Sequence, residues 1–261
     1  MLRNCVLPIS IGLSVCAALL LRPEFFDPGS LLLTLGGALT VTWFSYTRQQ
    51  LGGLWVAIHE LLNGTMHSPQ DHARELRRLT ELFRLHGIRG LENQERHLKD
   101  GFLRYAVELL VDLHAEEKIR LRLEHRLASV AAVSEINRQI LTTLGRLLPS
   151  FGLIGTLIGM VLLLSRIAAL EPKGLPGALG LAVLTTLYGA VLANCAVAPI
   201  LARLQSLAAE REINMNLTKE WILMIARGDS AMIADNGRAT LLEFDREKLR
   251  EWAPMGVSMQ R

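Results

Sequence analysis

Three threonines, Thr156, Thr185 and Thr186, lie in the middle of two segments, 147–165 and 174–202, that contain no Asp, Glu, Lys, Arg or His. A hydroxyl offers a hard oxygen and can line a hydrated path. It does not carry a proton as a carboxylate does. If ions cross here, the titrating group must come from another chain. Small residues flank the hydroxyls. Gly155 and Gly159 form a small-xxx-small face, Gly152 lies one turn earlier, and Gly189 follows the second pair of threonines. In lipid such faces let helix backbones approach closely. Each segment also carries a proline near one end, Pro149 and Pro199. A proline lacks an N–H and crowds the carbonyl four residues earlier, which makes it a place where a helix can bend.

The elements that position these residues are membrane spans. Both segments are long enough to cross a hydrocarbon core of about 30 Å at about 1.5 Å per residue. Half of the 261 residues are hydrophobic and only 5% are aromatic, and the apolar residues fall in blocks. Two more blocks lie near the N-terminus. Residues 4–21 are uncharged between Arg3 and Arg22, and residues 29–47 are uncharged up to Arg48. The first block also has the layout of a signal peptide. No Ala-x-Ala cleavage site precedes Arg22, however, and Val15 before Cys16 makes a poor lipoprotein box. The expected fold is an all-α membrane protein with four transmembrane helices in two hairpins and long cytoplasmic helical extensions. Residues 1–52 form the first hairpin, with spans at 4–21 and 29–47. Residues 53–146 form a cytoplasmic helical domain. Residues 147–204 form the second hairpin, with spans at 147–165 and 177–202, and 205–261 form a cytoplasmic tail.

Charge sets the orientation. The segment 48–146 holds fifteen Lys and Arg and the tail 203–261 holds nine, whereas the loops 22–28 and 166–173 hold one and two. By the positive-inside rule the large loop, the tail and both termini face the cytoplasm. Acidic residues nearly balance the basic ones there, thirteen and nine. That argues against a nucleic-acid partner and for mixed-charge helical surfaces. Cys5, Cys16 and Cys195 all lie in predicted spans without pairing or metal spacing, and the seven histidines lie in the large loop outside any HExxH pattern. No nucleophile elbow, phosphate loop or dinucleotide fingerprint occurs, so an enzyme reading has no support and no cofactor is implied.

The cytoplasmic segments read as helices. The second span is expected to continue past Arg48 through Trp55, Ile58 and Leu61 to a stop at Asn63-Gly64. Ser68-Pro69-Gln70-Asp71 then starts a helix with Leu76, Leu79, Leu82 and Phe83 as its stripe and Gly87 as its end. Another helix covers about Phe102 to Leu113. From Glu116 to Leu148, Leu123, Leu127, Val130, Ile136, Ile140 and Leu144 recur at helical spacing, and the pattern runs directly into the third span. The tail stays helical through Leu204, Leu207 and Ile213, and the Met-rich end is expected to be disordered.

The run LPSFGLIGTLIGMVLLL, a short outer loop and then LAVLTTLYGAVLANCAVAPI closely resemble the MotA/PomA family of flagellar stator proteins, within the MotA/TolQ/ExbB superfamily. Gly36-Gly37 resembles that family's GG, and the loop run from Phe83 to Glu92 resembles its basic-residue, Gly, Leu-Glu motif. The resemblance implies a ring of A-subunits, a pentamer in known examples, around two copies of a MotB/PomB-like chain. That partner has one span with an ion-carrying aspartate and binds peptidoglycan. Ion flow through the inner membrane then drives rotation, and the cytoplasmic loop pushes on a FliG-like rotor protein. On this resemblance Pro149 and Pro199 match the family's two torque-coupling prolines, and Arg84 and Glu92 match its rotor-facing charges. The ion path falls to Thr156, Thr185 and Thr186, with transient Na⁺ near them. Sodium-type PomA relatives resemble this chain in GTL and TTLYG, whereas proton-type members often carry Ala at the position of Thr156 and Gly at that of Thr185. The expected coupling ion is therefore Na⁺ in preference to H⁺. The competing expectations are a TolQ/ExbB-like energiser of envelope processes and a non-conducting membrane scaffold.

Overall fold

The computed structural model describes residues 26–63, 69–95, 98, 100–112, 115–169 and 174–227. The predicted first span, the cap at Ser68 and the tail beyond 227 lie outside the described residues. Every regular element described is a helix. We number them α1 (28–45), α2 (Arg48–Asn63), α3 (Pro69–His86), α4 (Ile88–Glu95), α5 (Gly101–Val111), α6 (Glu116–Ala168) and α7 (Leu175–Ala226). The chain divides into two compact units, residues 1–65 with 132–206, and 66–131 with 207–261. Both α6 and α7 contribute to each.

In the first unit, the carboxylate of Asp27 starts α1. It accepts the N–H of Ser30 at 2.9 Å and that of Gly29 at 3.4 Å, and Pro28 occupies the first helical position. These bonds satisfy donors that a helix start leaves open. The Ser30 hydroxyl also bonds Asp27, and this bond, with the backbone N–H of Ser30, holds the Asp27 carboxyl below its ordinary range. The helix contains a π-helical stretch, Leu32–Gly36. It ends at Ser45, because Tyr46 is extended at φ −127° and ψ 149°. The expected uninterrupted passage from the second span into the cytoplasm is thus broken at Tyr46. The cause is a reciprocal cap: the N–H of Thr47 bonds Oε1 of Gln50 at 2.9 Å, and the N–H of Gln50 bonds Oγ1 of Thr47 at 3.4 Å. The T-x-x-Q pattern for this restart stands in the sequence.

The long helix expected to feed the third span is present as one element, the 53-residue α6, with Pro149 inside it. Both α6 and α7 are long and apolar enough to cross a membrane. Proline at 149 leaves the Gly145 carbonyl without its helical donor. A second π-helical stretch, Leu192–Val197, precedes Pro199 in α7, where the N–H of Ala198 reaches back to Ala193 O. The wider turn accommodates a proline one residue further on. Ala38, Leu54, Ile140, Leu141, Leu148, Ala193 and Val197 form this unit's buried cluster.

The second unit is a helical domain with a leucine-rich core. Leu76, Leu91, Leu103, Ile119, Leu123 and Ile222 are buried, with Trp221 beside them. The predicted stripe of α3 holds: Leu76 and Leu79 are buried, and Leu82 and Phe83 pack against the cluster. Gly87 ends α3 at φ +62°, a left-handed conformation that glycine adopts without a Cβ penalty. Asp100 caps α5, accepting from the N–H groups of Phe102 at 2.8 Å and Leu103 at 3.3 Å. Nε1 of Trp221 donates to Oγ1 of Thr80 at 2.8 Å, and His72 Nε2 lies 2.8 Å from Thr218 Oγ1.

Candidate ion-path face

In the first unit α6 and α7 meet through residues with little or no side chain. A Cβ on Gly189 would stand 2.6 Å from the Leu148 carbonyl oxygen, and one on Gly159 would stand 2.7 Å from the backbone nitrogen of Ala182. One on Gly152 would lie 2.9 Å from the Thr185 oxygen, and one on Gly155 would collide with the Thr185 side chain. Only hydrogen fits at these four places. The predicted packing glycines therefore all lie at one helix–helix contact.

Three hydroxyls converge on two carbonyls at this contact. Thr156 Oγ1 lies 3.1 Å from Gly152 O and 3.2 Å from Ala182 O. Thr186 Oγ1 lies 3.2 Å and 3.3 Å from the same two oxygens. The two hydroxyls are 2.5 Å apart. Thr185 Oγ1 reaches the same carbonyls, 3.3 Å from Gly152 O and 3.2 Å from Ala182 O. Thr185 is wholly buried, Thr156 is half-buried and Thr186 is exposed. The structure thus brings Thr156 and Thr186 together at an open face and places Thr185 behind them in the contact. The sum is a cluster of hard oxygens at a face with no charged side chain of its own on 147–165 or 174–202.

The first helix supports this contact from behind, which the sequence reading missed. Thr34, wholly buried, sets Oγ1 3.3 Å from the Thr185 carbonyl oxygen. The phenol oxygen of Tyr188 accepts the N–H of Asp27 at 2.9 Å. A Cβ on Gly37 would collide with the Phe151 ring. The Gly36-Gly37 pair was a signal for this contact; nothing marked Thr34 except a hydroxyl within an apolar span.

Pro149 and Pro199 lie in the same unit. Gly145, whose carbonyl Pro149 leaves unmatched, would place a Cβ 3.5 Å from Cγ1 of Val197, in the turn before Pro199. Arg84 in the last turn of α3 and Glu92 in α4 are both exposed, on either side of the Gly87 turn in the second unit.

Two helices long and apolar enough to cross a membrane, packed through glycine with hydroxyls at an open face, define an all-helical protein of membrane-compatible design. Residues 94–216 match the MotA/TolQ/ExbB proton channel family. Over most of its length the chain is similar to members of that family's MotA/PomA branch. It is 28% identical to the chemotaxis protein PomA of Vibrio alginolyticus over 81% of this chain and 82% of that one. It is 28% identical to motility protein A of Cereibacter sphaeroides over 88% and 89%. In fold it is similar to the structure of C. jejuni MotAB, with a TM-score of 0.80, 19% identity, and coverage of 94% of this chain and 96% of that chain. The flagellar MotAB stator complex from Bacillus subtilis aligns with a TM-score of 0.75 and 19% identity, over 94% and 97%.

Proposed function

We propose that this chain is the A-subunit of a flagellar motor stator in the bacterial inner membrane, coupled to Na⁺ in preference to H⁺. The carrying observation is the oxygen cluster at the open face. Two hydroxyls, Thr156 and Thr186, share the Gly152 and Ala182 carbonyls within 3.1–3.3 Å. A dehydrating Na⁺ needs several hard oxygens together, whereas a proton needs only a carboxylate. Neither apolar segment supplies that carboxylate, so it comes from a single-span, MotB/PomB-like partner that also holds the complex to peptidoglycan. The names and titles of the similar proteins support this partner.

In this reading four spans place both termini in the cytoplasm. Five A-subunits ring two partner helices, with the threonine faces turned inward. Ion arrival at the partner's carboxylate changes the fit of the ring, and the bend points at Pro149 and Pro199 pass that change to the leucine-core unit. There Arg84 and Glu92 meet a FliG-like rotor.

The test is rotation speed of a motor driven by this chain and its partner against external Na⁺ at fixed pH and membrane potential. Speed should rise and saturate with Na⁺. Thr156→Ala should weaken it more than Thr156→Ser, which keeps an oxygen. Full rotation without sodium, abolished by a protonophore, would show that protons drive the motor and that the hydroxyls serve packing or water.

A further inference from the structure

We infer that Thr34 of α1, outside the two helices that carry the ion-path hydroxyls, is a positioning residue for the Thr156–Thr186 pair, acting through the Thr185–Thr186 peptide. The inference rests on the ion-path reading above and assigns it a third helix.

The peptide between Thr185 and Thr186 is held from two sides. On one side the backbone of α6 presses close: a Cβ on Gly152 would lie 2.9 Å from Thr185 O and 3.1 Å from the Cα of Thr186. On the side of α1, the Thr34 hydroxyl lies between the Ser30 carbonyl, 3.0 Å away in its own helix, and the Thr185 carbonyl at 3.3 Å. A hydroxyl has one proton to give, so the two carbonyls share it. Tilting the 185–186 peptide moves the Cα of Thr186, and Thr186 Oγ1 must keep its distances to Gly152 O, Ala182 O and Thr156 Oγ1. The threonine at 34 is thus one residue removed from the hydroxyl at the open face.

The backbone of α1 is shaped for this reach. Thr34 is the middle residue of the π-helical stretch Leu32–Gly36. An inserted residue of this kind shifts the helix face on which later side chains emerge, and such stretches occur often at functional sites. Just beyond it, Gly37 lets the Phe151 ring lie against the backbone of α1. Before it, the N–H of Asp27 bonds Tyr188. Three contacts from one helix therefore bracket residues 151 and 185–188. A valine at 34 would keep nearly the same volume and lose only the hydrogen bond, so the role can be separated from filling space.

The experiment uses the full chain in membranes, with Cys5, Cys16 and Cys195 replaced by alanine and with Thr156→Cys and Thr186→Cys added. Disulfide yield under mild oxidation, read by mass spectrometry after alkylation, reports whether positions 156 and 186 still face each other. In the otherwise native chain with its partner, the second readout is the external cation concentration giving half-maximal rotation. With the membrane level unchanged, Thr34→Val should lower the disulfide yield and raise that concentration, each by about three- to tenfold, the scale of one lost hydrogen bond. Thr34→Ser should restore both. If valine lowers accumulation, Thr34→Ala takes its place in both readouts.

An unchanged disulfide yield in the hydroxyl-free variants would overturn the inference. So would a loss of maximal speed at an unchanged half-saturating concentration, which is the signature of a packing peg. If the native chain rotates no motor on any cation, the stator reading fails by itself. The disulfide yield then still decides the role of Thr34.

Discussion

The two units solve opposite packing problems. In the helical domain of 66–131 and 207–261, large aliphatic side chains are inside: Leu76, Leu103, Ile119 and Ile222 are completely covered. In the unit of 1–65 and 132–206, a small buried cluster around Ile140, Leu141 and Leu148 is joined by many large side chains that lie outside. Leu153, Leu157, Val161 and Leu164 on α6 and Leu179 and Val183 on α7 are each more than half exposed. Its closest helix contact is made by glycine, alanine and threonine. The difference follows from the solvent. Water drives apolar area inward, at about 25 cal/mol per Å². Lipid tails are as apolar as leucine and give no such drive, so helices there associate by close backbone approach and hydrogen bonds. One chain thus uses leucine as core in one unit and, along the apolar stretches of α6 and α7 in the other, largely as coat.

The sharpest way to break this comparison is to add a side chain where only hydrogen fits. Gly189→Val would drive a Cβ into the Leu148 carbonyl, 2.6 Å away. Both accumulation in the membrane and rotation should be lost, as immunoblots and motility assays would show. The control is Gly180→Ala in the same helix, with nothing within 4 Å, which should remain functional.

Next in size is Pro149→Leu. It restores an N–H to the Gly145 carbonyl and removes a place where the helix can bend. Torque should disappear while membrane level and ring assembly stay near normal. Normal motility in this variant would remove the coupling role.

Truncating leucines tests the solvent argument directly. Leu103→Ala in the helical domain should cost about 2–5 kcal/mol, because it leaves a cavity in a closed core. Leu157→Ala on α6, 59% exposed, should cost within about 0.5 kcal/mol. Thermal unfolding in detergent, followed by limited proteolysis, separates the two. Equal costs would mean that the outward leucines of α6 are packed in the working assembly.

A smaller effect is expected from charge reversal on the exposed surface of the helical domain. Arg84→Glu or Glu92→Lys should reduce speed severalfold, with partial rescue by a reversed charge on the rotor and weaker coupling at high salt. Unchanged motility in the double reversal would return both residues to an ordinary solvated surface.

The smallest effect concerns Glu116 at the start of α6. Its carboxylate accepts from Arg227 Nε and Arg120 Nη2, each at 2.8 Å. The Arg227 bond first, and then the Arg120 bond, lower its pKa from 4.5. A lowered folded-state pKa means that the contribution is complete above about 4.5 and is lost as pH falls through the lowered value. Glu116→Gln should lower the melting temperature of this domain by about a degree at pH 7, as befits an exposed ion pair. The gap to the native chain should persist to about pH 5 and close in stronger acid.

Much of this was legible in the sequence, for physical reasons that differ by region. Helix periodicity, the αL turn at Gly87 and the continuity of α6 follow from local rules, and so did the stripe of Leu76 and Leu79. The charge-free segments around Thr156 and Thr185-Thr186 named the site, since a polar atom in lipid stands out against an apolar run. The capping pair Thr47 and Gln50 was equally legible but went unread, because the helical pattern continued on both sides of Tyr46. Other features were decided only when helices met. The sequence treats Thr185 and Thr186 as a pair. Packing separates them, one buried against Gly155 and one open beside Thr156, because neighbours on a helix point about 100° apart. Thr34 carries no sequence signal, as its partner is a backbone carbonyl 151 residues away. The sequence by itself determined which hydroxyls stand in charge-free segments and which segments are long and apolar enough to cross lipid. The tertiary structure decided which hydroxyl stands at the open face, since that depends on how closely two glycine-lined backbones can approach and on the third helix behind them.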